Sequence, residues 1–236
     1  MGAVFRREMQ SYFYTPAAYV FMGVFLALGS VFFGVGNLAA RSGNMLHLLG
    51  NLSYLWMLLS PVLTMRLMAG ERRQHTDQML FSSPCPLSGL VLGKFLAAVA
   101  VLLCTVAVSM MYALIVAVYG KLYIGETLTA YLGLILQGCA FIALDLFVSC
   151  FCRSQMTAAV AGLGANLLVW LADILSAATA VDAVRTFLDF ISLYQRFVPF
   201  SEGQLRFSNA LYYLLFIFIM LFLSVRVLDA RRWSEA

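Results

Sequence analysis

The feature of this sequence that most limits its fold is a series of long apolar segments that contain almost no charge. A helix needs about 20 mainly apolar residues to cross the roughly 30 Å hydrocarbon core of a bilayer. Six segments qualify, at residues 17–38, 52–69, 90–119, 128–151, 156–176 and 209–227. Membrane β-barrels instead show alternating strands of about ten residues. The sequence therefore predicts an all-α integral membrane protein, a single transmembrane domain over residues 1–236 with six transmembrane helices.

The composition agrees with a membrane location. Charged residues make up only 11% of the chain, and hydrophobic residues make up 63%. A soluble domain carries roughly 25% charged residues because its surface faces water. Most of the surface of this protein is therefore expected to face membrane lipid.

The basic residues of the loops predict the orientation, because Lys and Arg are enriched on the cytoplasmic side of membrane proteins. With the N-terminus inside, the ten basic residues on the cytoplasmic side are Arg6, Arg7, Arg66, Arg72, Arg73, Lys94, Arg153, Arg226, Arg231 and Arg232. The five on the opposite side are Arg41, Lys121, Arg185, Arg196 and Arg206. We therefore predict that both termini are cytoplasmic.

Two segments outside the spans have apolar faces that need a partner. Residues 2–15 predict an amphipathic helix that lies in the inner membrane interface and ends before Pro16. The alternative for this segment is a plain cytoplasmic tail. Residues 177–208, on the outer side, carry apolar residues at helical spacing. This predicts one or two short helices that re-enter the outer leaflet, with their apolar face buried in protein or among lipid headgroups.

The longest cytoplasmic connection covers residues 70–89. Within it, Thr76 can cap a short helix, and Asp77 is favourable in the first turn of that helix. The same segment contains three apolar residues with no evident place of burial: Met79, Leu80 and Phe81. Such a cluster indicates either a surface that a partner covers or a segment that lies on the membrane interface.

Polar side chains inside the predicted spans are candidates for function. Asp145 lies in the fourth span, where a carboxylate is costly unless it is paired, protonated or faces a cavity. It therefore either lines a translocation path or makes a structural contact with a nearby hydroxyl or with Arg153. Gln137 and Asn166 are candidates for the same path, or for hydrogen bonds between helices.

No motif for catalysis is present in the sequence. Residues 89–94 (GLVLGK) lack the spacing and the Ser or Thr of a phosphate-binding loop. The two histidines, His47 and His75, have no carboxylate or cysteine at metal-ligand spacing. We expect no catalytic, cofactor-binding or metal site in this chain, and no nucleic-acid partner.

Several short motifs occur in order along the whole chain. They are SYF at 11–13, PAAYV at 16–20, PVLTMRL at 61–67, VLGKF at 91–95, YLGL at 131–134 and RRW at 231–233, with Glu71, Arg73, Thr76, Leu80, Ser83 and Pro84 between them. In this order and spacing they resemble the permease subunit of a type-2 ABC transporter. The branch they resemble includes the gliding-motility permeases.

The resemblance implies that the chain is the membrane half of an ATP-driven exporter in a bacterial plasma membrane. Two copies, or one copy with a homologous permease, would enclose the path. Two separate ABC ATPase subunits would bind ATP and Mg and would dock on the 70–89 loop through a coupling helix. The implied interface residues are Glu71, Arg73, Thr76, Asp77, Met79, Leu80 and Phe81.

Some positions depart from the family pattern. His75 and Gln78 replace the Gly and Glu that usually flank Thr76, and Asp145 stands where a small residue is expected.

Other function classes remain open from the residues alone. One alternative is an ATP-independent channel or secondary transporter, although the repeated halves typical of those proteins are not evident. Another is a membrane scaffold subunit. The substrate is not indicated. The basic residues near the inner mouth suit an anionic lipid or glycan, but the positive-inside rule explains them without any substrate; they are Arg66, Arg72, Arg73, Lys94 and Arg153.

Overall fold

The structure is a computed structural model that describes residues 2–40, 43–70, 87–120, 122–178 and 192–234. Within these ranges every regular element is helical. Six of the helices are long and apolar enough to cross a membrane. The predicted all-α class and the six spans are therefore confirmed.

The helices have the following bounds. They are α1 (Gly2–Tyr14), α2 (Pro16–Phe33) with a π-helical continuation (Gly34–Ala39), α3 (Met45–Thr64), α4 (Leu87–Tyr119), α5 (Ile124–Ser149), α6 (Gln155–Ala178), α7 (Tyr194–Ser201) and α8 (Phe207–Ser234). Helices α1 and α7 are too short to span a bilayer, and the other six are the spans. At 33 residues, α4 is about 50 Å long, so it exceeds the thickness of the hydrocarbon core.

The second span differs most from its predicted bounds of 52–69, since α3 runs over Met45–Thr64. It begins earlier because the Asn44 side chain accepts a hydrogen bond (2.9 Å) from a backbone N–H of the first turn. The polar side chains of His47 and Asn51, which look like loop residues in the sequence, hydrogen-bond to each other (3.1 Å) along the helix. It also ends earlier, at Thr64, and residues 65–67 form a turn.

Helix α5 occupies the centre of the bundle, where it contacts α3, α4, α6, α7 and α8. Of its most apolar stretch, 67% is buried inside the protein, compared with 17% for α8. Glycines permit this close packing. A Cβ at Gly133 would lie 2.5 Å from the Cβ of Phe200 on α7, and a Cβ at Gly138 would lie 2.4 Å from Leu102 on α4. Polar side chains on the buried face of α5 therefore meet protein rather than lipid.

Helix α1 packs on the beginning of α4 and on α2. A Cβ at Gly93 would lie 3.0 Å from Val4 Cγ1, so the absence of a side chain at position 93 lets α1 approach. Tyr12 is buried, and its hydroxyl donates a hydrogen bond (2.9 Å) to the Leu63 carbonyl near the end of α3. The apolar side of α1 is therefore partly occupied by the protein itself.

Candidate functional site

Two groups of hydrogen bonds join α3, α5 and α6 in the interior of the bundle. The Ser53 hydroxyl donates to Gln137 Oε1 (2.7 Å), and two helical turns further on the Ser60 hydroxyl donates to Asp145 Oδ2 (2.6 Å). The amide of Asn166 on α6 donates to the Ser60 oxygen (3.1 Å). We call these five residues the polar seam. All of them are at most 2% exposed, so the seam lies inside the protein and away from lipid.

A proline in α3 explains part of the seam. Pro61 has no N–H, so the carbonyl of Met57, one turn earlier, loses its partner within the helix. Asn166 supplies the replacement, because its Nδ2 donates to the Met57 carbonyl (3.0 Å) as well as to Ser60. In a membrane-embedded helix an unsatisfied carbonyl costs several kcal/mol. The side chain of α6 thus completes the backbone hydrogen bonding of α3.

Asp145 is held between α3 and α6. One carboxylate oxygen accepts the Ser60 hydrogen bond, while the other, Oδ1, has no hydrogen-bond partner among the described residues. A Cβ at Gly162 would lie 3.0 Å from this Oδ1, so the carboxyl group contacts a position where α6 has no side chain. Of the two structural partners that the sequence offered, the hydroxyl is present, whereas Arg153 is exposed and no ion pair joins it to Asp145 in the described part of the chain.

A small pocket, with a cavity volume of about 10 Å³, lies beside the Ser53–Gln137 hydrogen bond, between α3, α5, α6 and α7. Its lining residues are Ser53, Tyr54, Met57, Gln137, Phe141, Val169, Trp170, Asp173 and Tyr194. The rings of Tyr54 and Tyr194 stack across it with centroids 4.7 Å apart. Burial, followed by the neighbouring Tyr54, raises the pKa of Tyr194, so this phenol stays neutral at physiological pH. The pocket is thus closed on one side by α7.

A second polar cluster joins α1 to α3 and α4. The side chain of Lys94 is fully buried, and its Nζ donates a hydrogen bond to the Leu67 carbonyl in the turn after α3. The same Nζ lies 3.9 Å from Glu8 Oε1 on α1. Lys94 is therefore a buried, paired cation and does not lie at an open inner mouth. The suggestion that it contributes to a surface for an anionic substrate is wrong.

The structure brings together the three residues that the sequence proposed for a path, Gln137, Asp145 and Asn166, because each bonds to α3. The seven coupling residues, Glu71, Arg73, Thr76, Asp77, Met79, Leu80 and Phe81, lie outside the described residues. So do residues 179–191 of the predicted outer region. Among the described residues no three His, Cys, Asp or Glu side chains converge as a metal site.

Among the residues of these clusters that sequence reasoning missed are Ser60 and, in its structural role, Lys94. A signal was available for each. Ser60 is a hydroxyl inside an apolar span, where a polar side chain commonly hydrogen-bonds to another helix. Lys94 lies well inside an apolar helix, where a lysine needs a specific partner.

The chain was also compared with known proteins. Residues 49–233 match the model of a family described as ABC-2 family transporter protein. Comparison of the chain with curated proteins gives no match. The family match extends from the first turns of α3 to the last turn of α8, so it covers well over half of the chain and includes the whole polar seam. With its six apolar helices, the chain therefore belongs to the ABC-2 family of transporter proteins, the multi-pass membrane permeases of ABC transporters.

Proposed function

We propose that this chain is the permease subunit of an ATP-driven exporter, in the gliding-motility permease-like branch of its family. The observation that carries the proposal is the family match over residues 49–233, because ABC-2 permeases normally work with a separate ATPase subunit. Two ATPase subunits bind ATP and Mg, and the permease pairs with a second copy or with a homologous permease. The chain itself performs no chemistry and transmits mechanical work.

Coupling takes place at the cytoplasmic segment 70–89. Its apolar residues Met79, Leu80 and Phe81 would each cost about 1.5–3 kcal/mol if left in water rather than buried. An apolar helix face laid in a partner groove removes that cost and is a common mode of recognition. Glu71, Arg73, Thr76 and Asp77 supply the polar contacts around this face.

The polar seam is the part of the membrane domain that rearranges when the ATPase subunits close. In the conformation described above, Gln137, Asp145 and Asn166 are bonded to α3 and therefore do not face an open path. They would line a path only after α3 has separated from α5 and α6. Breaking the four buried hydrogen bonds that join these residues to α3 costs a few kcal/mol in total, a size that ATP-driven closure of the partner can supply.

The proposed location is the bacterial inner membrane, with both termini in the cytoplasm. The excess of basic residues on the side of the 70–89 segment supports this orientation. It also places α1 and the Lys94 cluster on the side where the ATPase docks.

The experiment that tests the function introduces a charge into the apolar cluster. Leu80→Asp and Phe81→Asp are each expected to abolish capture of the ATPase subunit by tagged permease from detergent-solubilised membranes. The matched control is Gln74→Asp, which adds the same charge to the same segment without removing an apolar side chain. We expect the control to capture the ATPase as well as the wild type does, and all four proteins to insert and purify equally.

Two results would contradict the proposal. Full ATPase capture by both charged variants would show that this segment is not the docking element. If the wild-type permease captures no ATPase at all, the chain acts instead as an ATP-independent transporter or as a scaffold. Transport that continues in ATP-depleted cells would then favour the former.

A further inference from the structure

Lys94 lies at a buried position, where a lysine is rare unless its ammonium group is paired. It lies two turns inside α4, and its side chain is completely shielded from solvent. Burying an ammonium group is costly unless it is paired and hydrogen-bonded. The groups that offset this cost include the Leu67 carbonyl and the Glu8 carboxylate. Separating these groups would leave the buried ammonium without them, and that cost opposes their separation.

The bond from Lys94 to Leu67 joins two points that are 27 residues apart in sequence. Leu67 lies in the turn that follows α3, and Lys94 lies near the start of α4. The two residues therefore flank the chain between α3 and α4. The Lys94 side chain therefore holds the chain just before residues 71–86 against the chain just after them.

Helix α1 is attached at the same place through three contacts. Its Glu8 carboxylate is near Lys94 Nζ, and its Val4 side chain fits against Gly93. Its Tyr12 hydroxyl donates to the carbonyl of Leu63, one of the last four carbonyls of α3, which have no partner within the helix. Burial raises the pKa of Tyr12, and the nearby Glu8 raises it further, so the hydroxyl keeps the proton that this bond requires.

We propose that Lys94 is a positioning residue that clamps α1 to both chain ends flanking residues 71–86, so that α1, the end of α3 and the start of α4 move as one unit. This deepens the proposed function and rests on it, because the unit matters for transport only if a partner pushes on the segment between α3 and α4. The clamp itself can be measured without any partner.

The first part of the experiment uses purified full-length permease alone. Spin labels are attached at Gln10→Cys on α1 and Ser88→Cys at the start of α4, both exposed positions, in a background without the native cysteines. Pulsed electron–electron double resonance then measures the distance between the labels. Lys94→Met is expected to broaden this distance distribution and shift it to longer values. Lys94→Arg keeps the charge, and we expect its distribution to be as narrow as that of the wild type.

Two further variants make this part decisive. Glu8→Gln removes the opposing charge but keeps the side-chain shape, and we expect an intermediate broadening even if Lys94→Met purifies poorly. The control is Arg206→Met, which removes an exposed cation far from the clamp and leaves the distribution unchanged. Distributions for Lys94→Met and Glu8→Gln that match the wild type would overturn the proposal.

The second part uses the complex of permease and ATPase trapped with ATP and vanadate. For the wild type we expect the same narrow distance with and without trapping, because the labelled parts move together. A distance that changes on trapping would show that α1 moves against α4 and would also overturn the proposal. Failure of the proposed function gives a different result, since the wild type would then form no complex while the first part still reports on the clamp.

Discussion

At the scale of single residues, Ser60 is the point where three helices meet. Its hydroxyl belongs to α3, donates to Asp145 on α5 and accepts from Asn166 on α6. The partners are 85 and 106 residues away in sequence. The sequence could predict that Asp145 needs a partner, because a lone carboxylate in an apolar helix is costly. It could not predict which hydroxyl, since that depends on how α3 and α5 align.

The Ser60–Asp145 bond predicts a characteristic pattern of stability. Asp145→Leu removes the acceptor and leaves the Ser60 hydroxyl with one partner fewer, which should cost about 1–3 kcal/mol. Replacing both residues, in Asp145→Leu with Ser60→Ala, should cost less than the sum of the single changes, because the loss of the Ser60–Asp145 bond is then counted only once. The melting temperature Tm of each purified variant in detergent measures these effects.

Asp145→Asn is the companion variant. An amide oxygen can still accept from Ser60, so we expect only a small change in Tm together with nearly normal ATPase stimulation in the complex. A large loss of ATPase stimulation at normal Tm would instead assign Asp145 to a path that opens during transport. Strict additivity of the Leu and Ala changes would contradict the bond itself.

The pairing of Asn166 with the carbonyl freed by Pro61 gives a second prediction. Asn166→Leu leaves the Met57 carbonyl without a donor and should lower stability by about 1–3 kcal/mol. In a Pro61→Ala background, residue 61 regains an N–H that can bond to that carbonyl within the helix. Asn166→Leu should then cost less. Equal Tm losses in both backgrounds would show that the two residues act independently.

At the scale of helices, the sequence predicted which helices form better than it predicted where they begin and end or what they contact. All six spans are present, since an apolar run of about 20 residues has few alternatives. The start of α3 was wrong because His47 and Asn51 bond to each other, which makes a polar stretch acceptable in a helix. A helix also forms over Gly2–Tyr14, but its attachment through Tyr12 and Lys94 depends on contacts that no local pattern reveals.

The docking of α7 on α5 predicts a difference between two glycines. Gly133→Ala would place a Cβ 2.5 Å from the Phe200 Cβ, which cannot swing away because it is fixed to the α7 backbone. Such overpacking typically costs about 1–3 kcal/mol. Gly23→Ala on α2 meets nothing within 4 Å and should be neutral or slightly stabilising, since Ala favours helix by up to about 1 kcal/mol.

Both substitutions gain the same helix propensity, so the difference between their Tm values isolates the clash at α7. We expect Gly133→Ala to melt at a lower temperature than Gly23→Ala. Indistinguishable Tm values would mean that α7 is not packed on α5 as described.

At the scale of the whole molecule, the distribution of burial is uneven. The apolar stretches of α6 and α8 are only 22% and 17% buried within the chain, whereas that of α5 is 67% buried. Lipid covers such faces in any membrane protein, so exposure alone does not identify a partner. The small-residue run 161–165 on α6 adds a reason to test this face, because small residues allow helices of two copies to approach.

We therefore predict a permease dimer that crosslinks through α6. In a cysteine-free background, Gly164→Cys should give a band at twice the 26.1 kDa mass of one chain after mild oxidation in detergent. The control is Phe218→Cys, an exposed position on α8. Equal crosslinking at both positions would indicate random collision, and a permease that stays monomeric while bound to one ATPase would contradict pairing of any kind.

The proline in α3 also has a consequence for how this sequence can change over generations. Pro61 and Asn166 are separated in the chain by two whole helices, α4 and α5, yet the carbonyl that Pro61 leaves free is bonded by Asn166. If Pro61 is lost first, the Met57 carbonyl no longer needs an amide donor at position 166. If Asn166 is lost first, selection favours replacement of Pro61. The two positions are therefore expected to drift as a linked pair, with intermediates that carry only Pro61 being short-lived.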